Sequence, residues 1–105
     1  MKIPETVRIG SMDYSVKRTD EIIIVDNKKC KGDINYLSKE IRISNEIKNT
    51  QDNEVTLLHE ICHGIVYERN FTYKDNDEET ITEELARGLH QVIRDNPKIF
   101  QAEGE

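Results

Sequence analysis

Tryptophan is absent from this sequence, cysteine and proline occur twice each, and aromatic residues make up only 6% of its 105 positions. Two cysteines in unrelated contexts, Cys30 and Cys62, do not make a disulfide-stapled scaffold. They read as free thiols of a reducing compartment. No apolar run approaches the roughly 20 residues needed to span a bilayer, so no membrane partner is expected. The opening Met1-Lys2-Ile3-Pro4-Glu5 lacks the apolar stretch of a secretory signal, which points to the cytoplasm. Clustered basic charge is missing too. Against 15 basic side chains stand 21 acidic ones, a formal net charge of −6. That balance argues against a nucleic-acid partner and for an acidic, solvated surface.

What is present describes one small domain over residues 1–105. Apolar residues are 35% and charged residues 34% of the chain, so its core is modest. A domain of this size is marginal by core burial alone, and a bound metal would help hold it together.

The first 45 residues are strand-like. Residues 5–9 alternate polar and apolar, Gly10-Ser11 reads as a turn, and Tyr14 to Lys17 resume the period of two. Ile22 to Val25 is a short apolar run, and the polar stretch 26–33 reads as a loop. Residues 34–36 and 40–44 alternate again, forming a hairpin through Leu37-Ser38-Lys39. The expectation is an antiparallel sheet of three to four strands.

Helical spacing then takes over. Over residues 50–70, Val55, Leu58, Ile61, Cys62, Ile65 and Val66 recur at intervals of three and four as one buried stripe. Thr50, Asp52 and Asn53 offer caps at its start, and Asn70 a left-handed stop. A second helix is expected over 77–96, capped by Asn76 with Glu79. Its core side would carry Ile81, Leu85, Ala86, Leu89, Val92 and Ile93, with Pro97 ending it and the tail 101–105 fraying. Strands followed by helices make an α+β domain.

Chemistry concentrates in His59-Glu60-Ile61-Cys62-His63, an H-E-x-x-H pattern on a strongly periodic helix. Residues four apart stack on one helix face with β-carbons about 5–6 Å apart, so two imidazoles can converge on one ion. Zinc takes such nitrogens at about 2.0–2.1 Å in a tetrahedral shell. Glu60, rotated away from both histidines, can serve a water as general base without binding the metal. A catalytic zinc needs a further protein ligand, and the second helix offers Glu78, Glu79, Glu83 and Glu84. Wheel geometry does not separate Glu83 from Glu84. His90, Tyr67, Tyr73 and Arg87 are candidate donors to a developing oxyanion, although each has an ordinary surface or packing reading. Cys62 reads as core.

This pattern, with Glu83-x-x-Ala86 about twenty residues downstream, resembles the small gluzincin-type zinc metallopeptidases. More narrowly, Leu57 to Ile65 and Glu83 to Leu89 resemble the compact phage and prophage members of the ImmA/IrrE metallo-endopeptidase group. The resemblance spans residues 55–97, with a looser extension through Gly32 to Tyr36. It implies a minimal zincin-like fold holding one Zn2+ per chain on His59, His63 and Glu83, with Glu84 as second choice. It also implies an edge strand at residues 40–44 that pairs with an extended peptide or protein substrate. The activity implied is peptide-bond hydrolysis by a zinc-activated water, with Glu60 as general base, in a phage- or prophage-encoded protein that acts on a regulatory protein. Two other readings are a structural zinc module, which would need four ligands and could recruit Cys62, and a non-catalytic regulatory protein that keeps the fold.

Overall fold

The computed structural model describes residues 1–101; the expectation for the tail at 102–105 lies outside them. Six strands and two helices follow one another as β1 (Thr6–Ile9), β2 (Met12–Thr19), β3 (Ile23–Val25), β4 (Lys28–Cys30), β5 (Gly32–Asn35), β6 (Glu40–Ser44), α1 (Thr50–Glu68) and α2 (Glu78–Asp95). The fold is α+β, as the change of hydrophobic period at about residue 45 requires.

The main sheet has the order β1-β2-β6-β5, and β3 with β4 forms a separate hairpin. The sheet is mixed rather than purely antiparallel. β1 pairs antiparallel with β2, and β5 antiparallel with β6, but β2 and β6 run parallel. After β2 the chain makes the β3–β4 hairpin, returns along β5, and turns again into β6, which therefore enters in the direction of β2. β6 is thus interior, and the edge strand expected at residues 40–44 is instead β5.

The polar stretch 26–33 is not a loop. Asp26 and Asn27 take positive φ (51° and 64°), the left-handed turn that favours a two-residue hairpin, so β4 and the start of β5 fit within it. The hairpin through residues 37–39 forms as expected, with Asn35 opposite Glu40 and Lys39 at φ 57°.

One sheet face carries Val7, Ile9, Tyr14, Val16, Ile41 and Ile43, and both helices pack on it. Asn49 caps α1, its side chain accepting from the Asp52 amide at 3.0 Å, and Asn70 stops it at φ 53°. The buried stripe of α1 is rotated from the expected one. It comprises Thr56, Leu57, Glu60, Ile61, Gly64 and Ile65, while Val55 is 64% exposed and Leu58 and Cys62 are half-buried. Small residues set this orientation. A β-carbon on Gly64 would come within 2.7 Å of Ile9 Cδ1, so a larger residue here would oblige the buried Ile9 side chain to shift.

Asp77, one residue after the expected cap, starts α2 by accepting from the Thr80 amide at 2.8 Å. Its inward side is Ile81, Leu85, Gly88 and Val92, whereas Ala86, Leu89 and Ile93 face solvent. Gly88 sits against Ile65 of α1, where a side chain would overlap it. α2 also fastens to β1: Asn96 bonds both the amide and the carbonyl of Arg8, and Gln91 accepts from the Gly10 amide at 2.6 Å. The outer edge of β1 is thereby occupied, while among the described residues no strand pairs with the outer edge of β5.

Candidate metal centre

His59 and His63 stand one turn apart on the exposed side of α1, their rings at 75° to one another. Their Nε2 atoms are 3.2 Å apart. Two nitrogens each about 2.0–2.1 Å from one tetrahedral ion lie about 3.3–3.4 Å apart, so the pair already has nearly the spacing of two zinc ligands. Ligand atoms of His59, Glu60 and His63 all fall within 4.8 Å of one another. Burial, and then the neighbouring His59, lower the pKa of His63, which favours the neutral imidazole that metals bind.

Glu60 differs from the histidines in being only 5% exposed. The rotation of α1 turns it toward β5, beside Gly32. A β-carbon at Gly32 would meet the Arg42 carbonyl and Thr56 Cγ2 at 2.8 Å and Glu60 Oε2 at 3.3 Å. Glycine is what lets the strand backbone approach this carboxylate. Burial first, then the charge of Asp33, push Glu60 up to about 7. Asp33 itself is held by a two-pronged ion pair with Arg42, at 2.9 and 2.6 Å. A carboxyl titrating near neutrality is suited to take and return a proton.

Two adjoining cavities of about 300 and 280 Å³ open over these residues. Both are lined by Cys30, Gly32, His59 and Glu60. The first extends along Val55 and Thr56, the second past Asp33, Tyr36 and His63 toward Val25 of the β3–β4 hairpin. The site is therefore a cleft between α1 and the β5 edge.

The other expected residues lie elsewhere. Glu83 is outside the cluster, its carboxylate paired with Arg87 at 2.8 Å on the exposed side of α2. Glu84 bonds Arg69 at 2.6 Å and links the two helices. His90 and Tyr73 are exposed, and Tyr73 packs edge-on against Phe71. Cys62 is a free, half-buried thiol whose pKa burial raises, and it does not join the cluster.

Two residues in the cleft were not singled out by the sequence reading: Asp33 and Tyr36. Their only signal is a position in and just after the strand that flanks the H-E-x-x-H helix, and that adjacency is visible only once β5 is known to be the edge. No family model, curated protein or solved structure matches the chain.

Proposed function

We propose that the chain is a zinc-dependent metallopeptidase of minimal zincin type, in which His59 and His63 hold the ion and Glu60 is the general base. The observation that carries this reading is the pairing of two imidazole nitrogens at 3.2 Å with a buried carboxyl poised near neutrality in the same cleft. Zinc bound there supplies Lewis acidity, bringing the pKa of a water toward about 7 and polarising a carbonyl. Glu60 takes the proton of the attacking water and delivers it to the leaving amine. Glu83, the third ligand that the resemblance implies, lies outside the cluster on α2, which packs against β1 while the cleft opens toward β5, so this reading rests on His59 and His63 as the ligands from the chain.

The open edge of β5 supports an extended peptide as substrate. A strand laid along it gains main-chain hydrogen bonds and passes directly over the His59–His63 cleft. The resemblance to compact phage and prophage metallopeptidases agrees with this reading and suggests a cytoplasmic regulatory protein as the target.

Metal analysis of the purified chain tests the site: one zinc per chain is expected, lost in His63→Ala. Glu60→Gln should keep the zinc and abolish cleavage of a labelled casein. If Glu60→Gln cleaves as well as the parent chain, Glu60 is not the base. Zinc binding without any cleavage by the parent chain would favour a structural or regulatory role.

A further inference from the structure

We infer that Tyr36 is the side chain that donates a hydrogen bond to the oxyanion formed during hydrolysis. This rests on the metallopeptidase reading above and adds to it the donor that such a reaction needs besides the metal. His59, His63 and Tyr67 occupy successive turns of one side of α1. Tyr36, the first residue after β5, lies flat on Tyr67 with ring centroids 4.2 Å apart and planes within 4°. It lines the same cavity as His59, Glu60 and His63.

The ring is held from behind. Lys39 lies 5.0 Å from the Tyr67 ring, and its ammonium is fixed at 2.7 Å to Glu68, which also accepts from the Tyr14 hydroxyl at 2.5 Å. This buttress backs the Tyr67 side of the stack on which Tyr36 lies. Burial, then Glu60, then Tyr67 all favour its protonated form, and none of these influences is a hydrogen bond. It remains a donor at neutral pH. Tyr67 carries the same group but is absent from the cavity lining, and His90 and Arg87 are on the exposed side of α2.

In the step itself, the water oxygen bonds to the carbonyl carbon and the carbonyl π pair moves onto oxygen. The Tyr36 O–H donates to that oxygen and keeps its proton. When the oxyanion collapses, the C–N bond breaks and the amine leaves with the proton that Glu60 removed from water. The products are a carboxylic acid and an amine; the acid's proton then passes to the amine, leaving a carboxylate and an ammonium, and no redox partner is required.

The test uses the full zinc-loaded chain and an N-phosphoryl dipeptide, whose phosphoryl oxygens imitate the oxyanion. Tyr36→Phe removes a single oxygen and preserves the stack. It should retain one zinc per chain and the parent melting temperature, yet bind the phosphoryl dipeptide about 100-fold more weakly. With labelled casein, kcat should fall by a similar factor while KM stays near the parent value. Tyr73→Phe, at an exposed tyrosine that packs on Phe71 away from the cleft, should match the parent chain in both assays. Equal binding by Tyr36→Phe and the parent overturns the assignment of Tyr36 and leaves the zinc site standing. Zinc retained by His63→Ala overturns the site, and the role of Tyr36 with it.

Discussion

Glu60 shows how position on a helix converts an ordinary carboxylate into a reactive one. Three adjacent residues, His59, Glu60 and Ile61, point to solvent, to the cleft wall and to the core respectively. Burial beside Asp33 makes the charged form of Glu60 costly, and this has a consequence for stability as well as for chemistry. In the metal-free chain the native state binds a proton at Glu60 that the unfolded state has already released between about pH 4.5 and 7. Stability from this group is therefore fully present at low pH and declines as pH rises through 7. Glu60→Gln, which stays neutral, should remove that decline. Urea unfolding of both metal-free proteins at pH 5 and pH 8 should show the parent losing on the order of 3 kcal/mol more than the variant. Parallel behaviour of the two would mean that Glu60 is not desolvated as the structure has it.

At the level of elements, glycine sets how closely the helices approach, while Leu57, Ile61, Ile65 and Val92 supply the buried apolar contact. Gly88 against Ile65 sets the contact of α2 with α1, and Gly64 sets that of α1 with the sheet. Gly88→Ala should therefore destabilise by about 1–3 kcal/mol from overpacking, although alanine is the better helix former. A lowered urea midpoint with unchanged slope checks this. The same contacts explain what could be read in advance. The two helices, the Asn70 stop, the β5–β6 hairpin and the H-E-x-x-H cluster were all legible, because each rests on local spacing or on one residue's backbone preference. Stripes inferred from large apolar residues came out rotated, because Gly64, Thr56 and Gly88 are part of the contact faces and carry almost no hydrophobic signal. The parallel pairing of β2 with β6, and hence which strand is the edge, depends on a route between residues far apart in the chain. No local pattern reports it. Tyr36 was missed for that reason, and Glu83 was chosen through resemblance rather than through geometry.

For the whole molecule, a modest core makes ligand binding a large fraction of total stability. An ion that binds only the folded chain stabilises it by about 4 kcal/mol when present at a thousandfold excess over its dissociation constant. Zinc should accordingly raise the melting temperature of the parent chain by several degrees, and a chelator should reverse the rise. His59→Ala and His63→Ala should each melt at one temperature with or without zinc. A zinc response that survives both substitutions would locate the ion elsewhere.

The two borders of the sheet are not equivalent. Asn96 and Gln91 seal β1 with side-chain bonds to its backbone, whereas among the described residues no strand pairs with the opposite border, along β5. Growth by strand addition therefore has a stop end and a single start end. Sheet-to-sheet joining along β5 would terminate at a pair rather than run on as a ribbon.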